Sequence, residues 1–321
     1  MRLWLIVLAA SMAVGQTPRV FQLAQKETPE DLAEIATVLR STGDIKQVTV
    51  DAAKDTVTVD GTAEQIALAE WLIGKLDVPA KGPFTGVLEF RAPRGDDVTG
   101  VLYAANAATP VDLQEIATTL RSVADVRRLF VYNARKAVVA RDTGPKILLS
   151  AWLMDQLNQP AKAVPTGVQE YKLPGDDVAR VFYLASPHTP QELQEIVTLI
   201  RSVGEVQRLF VNNARHAIAM RAPAERIALA DWLVSKLDRP SHEGSGPDSY
   251  TALTGSWNAV RIFYLPEKLS PEERQKAVSQ VRTNAGTQRM FVYNKLAALA
   301  VRGTASQVET AQKALEEMKL Q

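Results

Sequence analysis

Residues 109–157, TPVDLQEIATTLRSVADVRRLFVYNARKAVVARDTGPKILLSAWLMDQL, decide the fold, because residues 189–237, TPQELQEIVTLIRSVGEVQRLFVNNARHAIAMRAPAERIALADWLVSKL, repeat them 80 positions later. Leu-Gln-Glu-Ile stands at 113–116 and 193–196, and Arg-Leu-Phe-Val at 128–131 and 208–211. The pattern extends in both directions. Thr28-Pro29, Thr109-Pro110, Thr189-Pro190 and Ser270-Pro271 keep spacings of 81, 80 and 81 residues, and so do Arg40, Arg121, Arg201 and Arg282. Trp71, Trp152 and Trp232 follow the same period, with Lys313 where a fourth tryptophan would stand. A fixed period of this kind marks a tandem array, here of four copies.

Each copy opens on a short apolar run such as Val20-Phe21-Gln22-Leu23 or Val181-Phe182-Tyr183-Leu184, which reads as a strand. A helix follows, announced by a hydroxyl cap, a proline and an acid three residues after the cap: Thr28 with Asp31, Thr109 with Asp112, Thr189 with Glu192, Ser270 with Glu273. Leu32, Ile35, Ala36 and Leu39 form its buried stripe. Two short strands then make a hairpin around Asn133-Ala134-Arg135-Lys136 or its equivalents. A second helix closes the copy, capped by Thr62 with Gln65 in the first and Thr304 with Gln307 in the fourth, with Ile66, Ala69, Ile73 and Leu76 inward and Pro79, Pro160 or Pro240 as the stop.

The expected class is therefore α+β: four tandem β-α-β-β-α repeats, each a small sheet with two helices on one face. Extra strands are expected in the linkers, at 86–90, 167–171 and Tyr250 to Leu253, with Gly95-Asp96-Asp97 and Gly175-Asp176-Asp177 turning into the next copy. The boundaries are 18–79 for repeat 1, 86–160 for repeat 2 with its linker strand, 166–240 for repeat 3 and 249–321 for repeat 4, an end cap in which Arg274 replaces the first apolar helix position.

Strand alternation assigns faces to the hairpins. In repeat 1, Val48, Val50, Val57 and Val59 point to the helices and Gln47, Thr49, Thr56 and Thr58 point away. The matching outer positions are Arg128, Phe130 and Tyr132 in repeat 2, Arg208 and Phe210 in repeat 3, and Arg289, Phe291 and Tyr293 in repeat 4. These eight residues are the candidate interaction face. One reading has a linker strand or a neighbouring repeat covering them; the other leaves them open as a binding surface, since arginine and aromatic side chains dominate interface hot spots.

Arg2, the apolar run Leu3 to Val14 and the small residues Ala13 and Gly15 read as a signal peptide over 1–15, too short to span a bilayer. Export, most simply to the periplasm, follows as an expectation. Lys and Arg total 37 against 36 Asp and Glu, and loss of Arg2 with the leader brings the formal charge near zero, which argues against nucleic acid and anionic lipid as partners. The chain has no cysteine, so thiol catalysis, thiolate metal sites and disulfides are excluded. His188, His216 and His242 stand without ligand partners at metal spacing and read as surface residues, and the paired acids at 96–97 and 176–177 read as solvated turns. No phosphate loop or nucleophile elbow occurs, so neither an active site, a cofactor nor a metal is expected.

The strand order, the closing Ala-Leu-Ala-Glu-Trp-Leu-Ile-Gly-Lys-Leu-Asp at 67–77 and its echo at 228–238, and the Asn-Ala-Arg turns at 133–135 and 213–215 together resemble the small KH-like, ring-building domains at the N-terminus of bacterial secretins. The resemblance implies protein-protein association in the periplasm: a scaffold or adaptor of an envelope secretion or pilus-type assembly, with envelope proteins or further copies of itself as partners and no membrane insertion after leader cleavage. Residues 241–321 hold a fourth repeat where a secretin needs its barrel strands, so a pore is not expected. Nucleic-acid-binding KH modules share the strand order, but no copy carries their GxxG loop. The competing reading is an exported module that binds cell wall or glycan.

Overall fold

The computed structural model describes residues 18–79, 87–93, 95–160, 169–241, 246–251, 254–255 and 258–318. The proposed leader, its cleavage site and His242 lie outside them.

Repeat 1 contains β1 (Arg19–Gln22), α1 (Pro29–Ser41), β2 (Gln47–Asp51), β3 (Thr56–Asp60) and α2 (Ala63–Leu76). Repeat 2 adds the linker strand β4 (Val87–Arg91) before β5 (Asp97–Tyr103), α3 (Pro110–Val123), β6 (Arg128–Tyr132), β7 (Ala137–Thr143) and α4 (Gly144–Leu157). Repeat 3 runs β8 (Gln169–Lys172), β9 (Asp177–Tyr183), α5 (Pro190–Ser202), β10 (Arg208–Asn212), β11 (Ala217–Pro223) and α6 (Ala224–Leu237). Repeat 4 runs β12 (Asp248–Tyr250), β13 (Ala259–Tyr264), α7 (Pro271–Ala285), β14 (Met290–Tyr293), β15 (Ala298–Gly303) and α8 (Ala305–Glu317). The sheets are antiparallel, with orders β1-β3-β2, β4-β5-β7-β6, β8-β9-β11-β10 and β12-β13-β15-β14.

The caps form as the sequence dictates. Reciprocal capping boxes close the N-termini of α1, α3, α5 and α7 at Thr28, Thr109, Thr189 and Ser270, and those of α2 and α8 at Thr62 and Thr304. Such a cap contributes about 1 kcal/mol to its helix. Arg40 and Arg201, repeated in the sequence, tie the first helix of a unit to its own hairpin by donating to the carbonyls of Val48 and Leu209. Each hairpin of repeats 2 to 4 turns through one 3-10 turn, 133–135, 213–215 or 294–296, followed by a left-handed residue, Lys136, His216 or Ala297.

The chain divides into two compact units. One holds the described residues up to Tyr103 together with Arg128–Thr143; the other holds Ala104–Arg127 and Gly144 onward. The cut passes through repeat 2, whose sheet belongs to the first unit and whose helices belong to the second. In the first unit, Leu32, Ile35, Leu39, Val57, Leu72 and Leu76 of repeat 1 share a core with Val101, Tyr103, Tyr132, Ala137 and Val139 of the next sheet. In the second unit, Ile196, Ile200, Ile218 and Leu233 of repeat 3 share a core with Val260, Ile262, Tyr293, Ala298 and Ala300 of repeat 4. The other face of that last sheet, with Phe263, Val292, Leu299 and Val301, packs on Val278, Val281, Val308 and Ala311.

A sheet covered on both faces needs apolar residues at odd and even positions alike. Every residue of β15 is buried, as are Ala137 to Ala140 of β7, whereas β3 of repeat 1 alternates.

Several expectations are corrected. The linker strands do not lie over the outer faces: β4, β8 and β12 extend the sheet edges beside β5, β9 and β13. The third is Asp248–Tyr250, and Ala252 and Leu253, the end of the strand expected there, lie outside the described residues. Val50, one residue before the end of its strand and expected to face the helices, is 37% exposed. Arg274 is no exposed cap residue; it is buried, and its guanidinium donates to the carbonyls of Asn294 (2.7 Å) and Glu267 (2.8 Å), which offsets the cost of placing a charge where the other repeats carry leucine. His188 is likewise buried, its ring between Asp238 and Tyr293.

Candidate functional site

The aromatic outer faces meet the first helix of the preceding repeat: α1 on β6 in the first unit, α3 on β10 and α5 on β14 in the second. Of the candidate face, Tyr132 and Tyr293 are fully buried; Phe130, Phe210 and Phe291 are half-buried; Arg128 and Arg208 are exposed and Arg289 is intermediate. The face therefore forms junctions between consecutive repeats, and burying one such aromatic side chain stabilises by roughly 1.5–3 kcal/mol.

Each junction has the same polar lock. Asn133, first residue of its 3-10 turn, donates its backbone N–H (2.9 Å) and its Nδ2 (2.7 Å) to the two carboxylate oxygens of Glu34. Asn213 does the same to Glu115 (2.9 and 2.6 Å), and Asn294 to Glu195 (2.9 and 3.0 Å). The turn frees a strand-end N–H, and the glutamate, on the helix face opposite the unit's own core, supplies two acceptors. Hydrogen bonds to a charged group contribute roughly 1.5–3 kcal/mol.

The arginines of the candidate face pair with the acid that follows the first helix of the preceding repeat. Arg128 lies 3.8 Å from Asp44, Arg208 3.5 Å from Asp125, and Arg289 2.6 Å from Glu205. These acids occupy the left-handed region, with φ of 57°, 59° and 54°. Side-chain exposure of 43%, 44% and 36% on the arginines keeps such pairs near the 0–1 kcal/mol typical of surface pairs. The aromatics and the Glu-Asn lock contribute more to each junction than these ion pairs do.

The second helix adds an aromatic pair. Trp71 of α2 meets Phe90 of β4 at 5.6 Å between ring centroids, Trp152 of α4 meets Tyr171 of β8 at 5.7 Å, and Trp232 of α6 meets Tyr250 of β12 at 5.3 Å. Tilted pairs of this kind contribute about 0.5–1.5 kcal/mol beyond area. The linker strand thus pairs with its own sheet and carries an aromatic residue onto the preceding repeat. The carbonyls near the end of that second helix, which have no intrahelical partner, are satisfied across the junction. Arg135 reaches Val78 O, Arg215 reaches Leu157 O, and the hydroxyls of Tyr103 and Tyr183 donate to Lys75 O (2.7 Å) and Gln156 O (2.9 Å). Burial pushes the Tyr183 phenol up to about 12, so it remains a donor.

Two junction interiors differ. In the first unit, Glu27 and Arg135 form a buried ion pair, and burial raises the Glu27 carboxyl despite the guanidinium beside it. In the second unit, the matching position is His188, whose Nδ1 lies 3.0 Å from the Tyr293 hydroxyl and whose Nε2 lies 3.0 Å from Asp238 Oδ1. Burial would raise Asp238, but the N–H groups of Ala185 and Ser186 and the imidazole outweigh it and hold the carboxyl below its usual range. This Asp-His-Tyr row is closed at both ring nitrogens and the histidine side chain is 0% exposed, so the row is part of the junction interior. Among the described residues no group of three or more metal-ligating side chains converges, and no helix is long and apolar enough to cross a membrane.

The Glu-Asn lock was not read from the sequence, although a signal exists: glutamate recurs at 34, 115 and 195 and fails at Lys276, while asparagine recurs at 133, 213 and 294 and fails at Ala52.

No family model and no curated protein matches the chain. Solved structures to which it is similar include the N-terminal domain of the secretin XcpQ from Pseudomonas aeruginosa, at 13% identity over 70% of this chain and all of that one, with a TM-score of 0.24. Aeromonas hydrophila ExeD is 14% identical over 70% of this chain and 41% of its own length, TM-score 0.18. A protein of unknown function from Aeropyrum pernix is 13% identical over 45% of this chain and 83% of its own, TM-score 0.25. The resemblance to secretin N-terminal domains expected from the sequence recurs among these structures.

Proposed function

We propose that this chain is an exported, non-enzymatic scaffold or adaptor for protein-protein association, working in the periplasm within an envelope secretion or pilus-type assembly. The observation that carries the reading is the repeated junction, in which aromatic, arginine, glutamate and asparagine side chains join one small unit to the next. Aromatic and arginine side chains are also the types that interfaces between specific partners favour. A second reading, glycan binding, is favoured by one feature: a cleft of about 490 Å³ beside Trp232 and Tyr250, with Glu170, Arg180 and Asp231 on its walls.

Affinity capture of the tagged chain, expressed from its full-length gene and cross-linked in envelope extract, separates the two. Recovery of secretin or other secretion-machine subunits is the expected result. Recovery of cell-wall fragments, or of the chain alone, overturns the scaffold reading.

A further inference from the structure

Every junction has a helix side and a sheet side, and the residues that build them are offset by one repeat. On the helix side, the lock glutamate is Glu34, Glu115 and Glu195, and its fourth counterpart is Lys276. One turn on stand Val38, Thr119 and Leu199, each fully buried, and then the exposed Gln280. The left-handed acid is Asp44, Asp125 and Glu205, and then Gly286; the tryptophan is Trp71, Trp152 and Trp232, and then Lys313. On the sheet side, Arg128, Arg208 and Arg289 correspond to Gln47 in repeat 1. Phe130, Phe210 and Phe291 correspond to Thr49, and Asn133, Asn213 and Asn294 to Ala52.

Apart from the position of Val38, Thr119 and Leu199, where only burial is kept, these positions keep their chemical type where a neighbouring repeat faces them, and all change together on the sheet of repeat 1 and the helices of repeat 4, two faces that the described residues leave exposed. The replacements are also chemically opposed to pairing. Lys276 offers an ammonium where the lock needs an acceptor, so a strand-end N–H would meet a second donor. Ala52 has no side-chain amide, so it can offer only one of the two donors of the lock. Thr49 would bury a hydroxyl where the other junctions bury an aromatic ring, and Gln280 a larger amide where they bury Val38, Thr119 and Leu199, at a cost unless each finds a partner. Like charges, missing partners and desolvated polar groups are how an interface rejects a wrong partner, and polar outer faces are how repeat arrays end.

We infer that the pairing code of this chain is blanked on both exposed faces, so that its sheet face and helix face do not extend head to tail onto a second copy. This holds whether or not the chain is a scaffold, and it narrows that reading: a partner of this chain is not held by one more round of the same junction.

Two half-restored full-length chains test it. The sheet-side variant carries Gln47→Arg, Thr49→Phe and Ala52→Asn; the helix-side variant carries Lys276→Glu, Gln280→Leu and Gly286→Asp. Gly286 has open space around its α-carbon but a φ of 64°, so the last change carries backbone strain, and aspartate is chosen because Asp44 occupies the same backbone region. Each variant alone sediments as one chain, and an equimolar mixture doubles in mass. Folded variants that do not pair overturn the inference.

Should either variant misfold, the absence of native cysteine gives a second measurement. In a chain changed only at Ala52→Cys and Lys276→Cys, copies meeting through the junction would bring the two thiols together as Asn133 and Glu34 are brought together. The expected result after oxidation is a single-chain band on a non-reducing gel; a ladder of disulfide-linked copies overturns the inference.

Discussion

Glu34 and Asn133 stand 99 residues apart and meet through two hydrogen bonds, with the carboxylate of one accepting both the backbone and the side-chain amide of the other. The same geometry recurs at Glu115 with Asn213 and at Glu195 with Asn294, so a contact far apart in sequence is written into the array by its period.

Because the Asn133 N–H has a side-chain acceptor, Glu34→Ala should release it. Loss of roughly 1.5–3 kcal/mol of charge-assisted bonding corresponds to about 10- to 100-fold faster amide exchange at Asn133. The Asn213 amide, held by Glu115, should not change. The same experiment with Glu195→Ala should give the larger effect at Asn294, since that pair is partly buried and the first is exposed. Equal acceleration at all three turns would mean that the lock does not act locally.

Tyr132 and Tyr293 occupy equivalent positions, both fully buried, and burial raises both phenols. Their hydroxyls differ. That of Tyr293 lies 3.0 Å from His188 Nδ1, whereas that of Tyr132 has no partner among the described residues. An unpartnered buried polar group costs roughly 1–3 kcal/mol. Tyr132→Phe should therefore leave stability unchanged or raise it by about 1 kcal/mol, while Tyr293→Phe should lower it by a similar amount. Thermal melts of the two variants decide the matter, and a matching loss in both would refute the distinction.

The repeat, the strand order, the capping boxes and the aromatic face were legible because each rests on local rules: a period, a hydroxyl before a proline, an alternation of side chains. What covers that face was narrowed only to a linker strand or a neighbouring repeat, because alternation says which side a residue points to and not which element lies there. Phe130 and Tyr132 could be placed outward from sequence; only the packing of α1 on β6 supplies their cover. Arg274 and His188 were misread for a related reason. A charged or titratable residue reads as exposed until its partners, here the carbonyls of Asn294 and Glu267 for the arginine and Asp238 with Tyr293 for the histidine, are known. Lys313 breaks the tryptophan period, and the packing gives the reason: Trp71, Trp152 and Trp232 each lie against an aromatic residue of the next linker strand.

The buried pair of Glu27 and Arg135 makes a prediction with a pH sign. Arg135→Ala leaves a buried carboxylate without its cation and should cost about 3–5 kcal/mol, whereas Glu27→Leu with Arg135→Met, which removes both charges, should cost much less or stabilise. Burial already raises the Glu27 carboxyl, and losing the guanidinium raises it further. A carboxyl whose folded value exceeds its unfolded value of about 4.3 favours the folded state at low pH and loses that contribution as pH rises through the folded value. The penalty of Arg135→Ala should therefore be smaller at pH 5 than at pH 7.5 in urea denaturation.

Asp238 carries the opposite sign. Its carboxylate accepts the N–H groups of Ala185 (2.6 Å) and Ser186 (2.8 Å) and contacts His188 (3.0 Å), which together hold it below the usual carboxylate range against the pull of burial. A depressed carboxyl stabilises the fold above its unfolded value of about 3.9, and the contribution is lost as pH falls through the lower folded value. Repeat 2 supplies the natural control, since Asn158 at the same position accepts the Asn106 N–H at 2.8 Å without charge. Asp238→Asn should accordingly keep one acceptor, give up the charge-assisted part of the stability at pH 7, and remove much of the additional loss that the native chain suffers between pH 4 and pH 2. Urea midpoints of both chains across that range provide the measurement, and parallel acid curves would show that the charge on Asp238 contributes nothing to the fold.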